Sequence, residues 1–123
     1  PIPSVLALKD IYTYSASGSN LTVVSQDAAT TPGGPLSPVS SQTFTFDSKT
    51  NPLIILNEAV LLVRTGFYNA NNATKSVVDN TIDPTQDFTM DYTYKYNSVN
   101  KPDSSYGTRT PGGVVTASKY FYQ

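Results

Sequence analysis

The chain has 123 residues and a formal net charge of −1, from eight basic and nine acidic side chains, a size that suits one domain. It contains no Cys, His or Trp, which excludes disulfide frameworks, zinc centres built on Cys or His, thiolate nucleophiles and His-based acid–base catalysis. Charged residues make up only 14%. Ser, Thr and Asn fill about a third of the chain, while Leu, Ile, Val and Phe, at about a quarter, suffice for a folded core.

Lys9, Lys49, Arg64, Lys75, Lys95, Lys101, Arg109 and Lys119 are scattered, with no two adjacent. Nucleic-acid recognition needs clustered cations, so no nucleic-acid partner is expected. The longest strictly apolar run, residues 59–63, is far too short to span a bilayer, and no membrane partner is expected. Pro1-Ile2-Pro3 resembles neither a signal peptide nor a transit sequence, and proline is disfavoured directly after a signal-peptidase cut. Synthesis without a signal is the expectation; cleavage just upstream is the alternative. In a secreted chain the Asn-x-Thr sequons at Asn20 and Asn72 would mark surface loops.

In chain order, residues 5–14 (VLALKDIYTY) carry apolar side chains on both parities and predict a strand covered on both faces. Residues 15–19 form a small-residue turn and 21–25 a second strand. Residues 27–41 (DAATTPGGPLSPVSS), with three prolines and two glycines, predict a long loop or extended arm. Residues 43–46 (TFTF) alternate as a strand.

Residues 50–69 are ambiguous between a helix capped by Asn51-Pro52 and two strands. The β-branched Ile54, Ile55, Val60 and Val63 and the polar break at Asn57-Glu58 favour strands over 53–56 and 59–68. Residues 69–83 predict an Asn/Asp/Thr loop around Val77-Val78. Residues 87–96 (DFTMDYTYKY) give the clearest strand, with Phe88, Met90, Tyr92, Tyr94 and Tyr96 on one face. Residues 97–111 predict a further polar loop and 114–122 a final strand. Thr-Pro-Gly-Gly occurs at 31–34 and 110–113 with unmatched flanks, the mark of recurring turn chemistry rather than duplication.

About seven short strands with no secure helix predict an all-β chain. The expected form is a single domain over 1–123, an antiparallel β-sandwich or barrel of jelly-roll or immunoglobulin-like type. An extended N-terminal arm (1–4) and the long Pro/Gly loop (27–41) complete it.

Catalytic patterns are weak. Ser98-Val99-Asn100-Lys101 matches a Ser-x-x-Lys nucleophile motif but lies in a polar stretch without companion motifs. On one strand Asp87 and Asp91 stand roughly 13 Å apart, at about 3.3 Å per residue, wider than the ~6.5–9.5 Å of an inverting glycosidase pair. Asp79, Asn80 and Asp83 offer oxygens to a calcium ion, yet Asx turns explain them more simply. No enzyme activity, cofactor or metal is expected.

The tyrosine stripe admits three roles. Phe88, Met90 and Tyr92 form core while Tyr94 and Tyr96 reach the rim; or the stripe contacts a subunit; or it stacks on a ligand. The leading expectation is a structural assembly protein, a virion component of capsid, decoration or tail type that binds copies of itself and other structural subunits. Its interface candidates are Pro1, Ile2, Pro3, Pro32, Pro35, Leu36, Tyr94, Tyr96, Tyr120, Phe121 and Tyr122. Alternatives are an extracellular pilus, filament or adhesin subunit joined by β-strand addition, and a carbohydrate-binding module using the tyrosines.

Overall fold

A computed structural model describes residues 7–29, 31–51 and 69–121. They form an all-β structure of seven strands: β1 (Leu8–Tyr14), β2 (Leu21–Ala29), β3 (Leu36–Thr50), β4 (Asn71–Asn80), β5 (Phe88–Tyr96), β6 (Pro102–Thr110) and β7 (Val115–Lys119), with one 3₁₀ turn at Pro84–Gln86. Each strand pairs antiparallel with its sequence neighbour, giving one open seven-stranded meander. The arm 1–4, the stretches 53–56 and 59–68, and Tyr122 lie outside the described residues.

The register is regular enough to run rows of side chains straight across the sheet. One face carries the row Thr13, Val23, Thr43, Val77, Thr89 and Thr110 over six strands. The opposite face carries Tyr12, Val24, Gln42, Val78 and Phe88 in one row, and Phe44, Ser76, Met90 and Arg109 in another. β5 behaves as its alternation predicts: after its first three residues, exposed Asp91, Thr93 and Lys95 alternate with half-buried Tyr92, Tyr94 and Tyr96. Leu21, Ala29 and Val39 are the buried hydrophobic residues among those described, accompanied by buried Asn51, Asn69, Asn72, Ser76 and Ser105.

Four expectations are corrected. Residues 5–14 were expected to be covered on both faces, but β1 is an outer strand whose residues are all exposed except Ile11. Apolar side chains on both parities do not distinguish a sandwiched strand from one presented at an edge. Of the long loop expected over 27–41, only 31–35 are described outside a strand, because β2 runs on to Ala29 and β3 begins at Leu36. Pro38 is accommodated at a bulge, where pairing steps from Gln26–Ser40 to Asp27–Pro38 and Val39 is left as the extra, buried residue.

The polar stretch 69–83 contains β4, and 97–111 contains β6. Both were masked by Asn, Asp, Pro and Gly, whose low strand preference is overridden by side-chain hydrogen bonds and cross-strand packing. In β4, buried Ser76 accepts a hydrogen bond from Gln42 Nε2 at 2.8 Å. In β6, Gly107 stands opposite Tyr92, whose ring closes over it. Both Thr-Pro-Gly-Gly segments sit at hairpin tips, β2–β3 and β6–β7, where Gly33 (φ 70°) and Gly113 (φ 62°) adopt the left-handed conformation that side chains disfavour.

Candidate interaction site

The described residues present two distinct features: a polar cluster around Asn51, Asn69 and Asn72, opening into a cavity, and two sheet edges with no described strand beyond them.

The cluster begins at an irregularity. Between the pairs Phe46–Ala73 and Thr50–Asn71 the β3–β4 register jumps, so three residues of β3 face one of β4. Side chains replace the interrupted ladder. Asp47 Oδ1 accepts from the backbone N–H groups of Lys49 (2.8 Å) and Asn72 (3.2 Å). Asn72, 4% exposed, directs its amide toward Lys49 O, Thr50 O and Tyr96 Oη at 3.3–3.4 Å. The Tyr96 hydroxyl in turn donates to Asp47 Oδ2.

A second ring of asparagines ties the β1–β2 hairpin to the same place. Asn20 Nδ2 donates to Asn71 Oδ1 (2.9 Å), while Asn69 Oδ1 accepts from Leu21 N–H (2.6 Å). Asn51 closes the stem, donating from its backbone to Ala70 O (2.8 Å) and from Nδ2 to Asn69 O (3.0 Å). Buried amides persist because nearly every donor and acceptor is matched.

Burial is the chief reason that the Tyr94 and Tyr96 phenols are held well above the ordinary tyrosine range. The charges of Tyr120 and Asp47 add to this for Tyr94, and the hydrogen bond to Asp47 adds for Tyr96. Their rings lie 5.9 Å apart and tilted by 32°, so they do not form a coplanar platform. The Tyr94 hydroxyl donates to Ala73 O at 2.8 Å. Both tyrosines are therefore bound inward to β3 and β4 rather than held out at a rim.

Above the asparagines opens a cavity of about 360 Å³. Its floor is two cross-strand rows, Tyr92–Gly107–Thr116 and Tyr94–Ser105–Ser118. Its wall is formed by Asn51, Asn69, Asn71, Asn72 and Tyr120, and no charged residue is among the described residues that line it.

Of the interface candidates, Pro32, Pro35 and Leu36 lie exposed at the β2–β3 tip. Phe121 is 88% exposed beyond β7. Tyr120 is half-buried and shares a 3.0 Å hydrogen bond with Ser105. Pro1, Ile2, Pro3 and Tyr122 lie outside the described residues. Tyr94 and Tyr96 are half-buried, with hydroxyls bonded to Ala73 O and Asp47, while Phe121 stands exposed.

Sequence reasoning missed Asp47, Asn51, Asn69 and Asn71 as a unit. The available signal was the density of asparagine at 69, 71 and 72. The Asn72 sequon lies buried in β4 rather than on a surface loop.

Ser98 is exposed in the β5–β6 turn, where Asn97 Oδ1 accepts from Val99 and Lys101 N–H and Asn100 has φ 58°. The oxygens at 80–87 serve turns: Asn80 Oδ1 accepts from Ile82 and Asp83 N–H, Asp83 from Thr85 N–H, and Asp87 from Asn80 N–H.

At the edges, β1 exposes Leu8, Tyr12 and Tyr14, and the β7 end exposes Val114, Val115 and Phe121. Comparison with protein-family models, with curated proteins and with solved structures finds no match.

Proposed function

We propose that this chain is a non-enzymatic structural subunit that assembles with copies of itself and with other structural subunits through its sheet edges. The observation that carries this reading is that, among the described residues, β1 and β7 each have a strand on one side only and bear exposed apolar residues, Leu8 at 65% and Val115 at 60%. An unpaired strand offers a row of N–H and C=O groups to a neighbour, and apolar side chains beside it add contact area.

Pairing of β1 with a neighbour's β7 would be heterologous, which generates rings or open filaments depending on whether the rotation closes. Closure of the sheet into a barrel or sandwich belongs to the same proposal, with neighbouring copies supplying the missing strands.

A virion component of capsid, decoration or tail type is the leading form. The low charge and the lack of an acid–base toolkit support it. An extracellular pilus, filament or adhesin subunit is the second form, and the same unpaired edges support strand addition there. Closed shells or rings separate the first from open filaments.

Light scattering and electron microscopy of the purified chain test the reading. Concentration-dependent oligomers that disappear in a Val115→Lys, Ala117→Lys double variant, with circular dichroism unchanged, are expected. A wild-type chain that stays monomeric at all concentrations, or oligomers indifferent to both charges, overturns it.

A further inference from the structure

The cavity over β5–β7 has a chemistry that edge assembly does not use. We propose that it is a binding site for a neutral saccharide ring, taken by Tyr92, Thr116 and Ser118 on its floor against the asparagine wall.

Three observations carry this. First, the lining is neutral among the described residues, made of tyrosines, asparagine amides and small hydroxyl residues. Phosphorylated or carboxylated ligands would meet no cation among the described residues there, and a lipid chain would meet the amides of the wall and the hydroxyls of the floor. A sugar offers both kinds of surface that this lining matches: C–H faces for aromatic rings and hydroxyls for the side-chain hydroxyls of the floor.

Second, the polar groups divide into two sets. The asparagine side and Tyr94 are occupied by internal hydrogen bonds, and Ser105 is joined to Tyr120. The hydroxyls of Tyr92, Thr116 and Ser118 make no hydrogen bond to any described residue. The unused donors and acceptors thus fall together on adjacent strands, in the rows where Tyr92 faces Gly107, Gly107 faces Thr116, and Ser105 faces Ser118.

Third, the floor is shaped by an absence. A Cβ at Gly107 would stand 2.9 Å from Thr116 Oγ1 and 3.0 Å from Tyr92 Cε1. The bare backbone lets the Tyr92 ring lie across β6 and leaves the recess open. At about 360 Å³ it sits near the lower end of the roughly 300–1,000 Å³ of small-molecule sites, a size for one or two sugar rings.

The test uses the full chain, titrated with methyl glycosides of neutral hexoses and N-acetylhexosamines and followed by ligand-observed NMR and ¹⁵N shifts. Saturable binding of at least one glycoside is expected, with Kd of about 1 mM and shifts centred on Tyr92, Gly107, Thr116 and Ser118. Ser118 is exposed on the edge strand, so Ser118→Gln places a longer side chain at the cavity mouth without touching the core; a tenfold or greater loss, on the order expected from blocking the contact, supports the site. Tyr92→Phe, which removes one hydroxyl, is expected to weaken binding severalfold while the fold persists.

A disaccharide that binds more tightly than its methyl glycoside assigns the ligand to a glycan chain, and equal binding assigns it to a free sugar; either supports the proposal. Absence of saturable binding across the panel, shifts mapping elsewhere, or Ser118→Gln binding like wild type overturns it. None of these results bears on the oligomeric state, so the two readings fail separately.

Discussion

Asp47 on β3 and Tyr96 on β5 meet across the full width of β4, the tyrosine hydroxyl donating to the carboxylate. Asn72 of the intervening strand gives its backbone N–H to the same carboxylate and its amide to the tyrosine oxygen. Three strands are thereby joined by side chains at the place where their backbone register breaks. Hydrogen bonds to an ionised acceptor are stronger than neutral ones.

Removing the middle member should be costly. Asn72→Ala strips the amide from a site only 4% exposed and leaves the Lys49 and Thr50 carbonyls without that donor. A destabilisation of about 1–3 kcal/mol is expected, read as a lower urea midpoint. Asn72→Asp, which adds a carboxylate beside Asp47, should cost more than Asn72→Ala.

Alkaline pH should unfold the protein. Folding favours the protonated phenols of Tyr94 and Tyr96, chiefly through burial. Stability from these groups is complete below the unfolded tyrosine pKa of roughly 10 and falls as pH rises from there toward the raised folded values. Tyrosinate absorbance should therefore rise together with loss of the circular dichroism signal, and Tyr94→Phe should blunt the pH dependence.

On the acid side, Asp83 should titrate below the ordinary aspartate range. Its carboxylate is held down first by the Thr85 hydroxyl and then by the Thr85 N–H. The contribution it makes to the Pro84–Gln86 turn is present above the ordinary carboxylate pKa and lost as pH falls through the depressed one. Carboxyl ¹³C shifts followed against pH check this, and Thr85→Val should return Asp83 toward the ordinary range.

Gly107→Ala should destabilise by about 1–3 kcal/mol through overpacking, because the new methyl meets the Tyr92 ring and Thr116 Oγ1 at 3.0 Å or less. Thermal denaturation measures it. Thr116→Ala in the same chain relieves one clash and should recover part of the loss.

By contrast, Lys75→Ala should shift the midpoint by less than about 0.5 kcal/mol. Its ion pair with Asp91 spans 3.9 Å between exposed side chains.

Strands were legible where side chains sort by polarity. β5 reads directly because Phe88, Met90, Tyr92, Tyr94 and Tyr96 alternate with polar residues. β4 and β6 were not legible, since Ser76, Asn72 and Ser105 are buried through hydrogen bonds that no periodicity encodes. The extent of β3 was hidden by Pro38, which a bulge admits. The tyrosine stripe was found but its use was not: a hydroxyl reaching back to Ala73 or Asp47 depends on which strands lie alongside. The asparagine cluster draws on four separate stretches of chain, so it exists only once they are brought together.

Past the last β3–β4 pair, Thr50–Asn71, the two segments are fastened once more by Asn51 N–H to Ala70 O. This contact lies beyond the register jump and holds β3 against β4 on the far side of the break. A ladder fastened on both sides of a break is held against fraying, so the Asn51 amide should exchange slowly with solvent hydrogen.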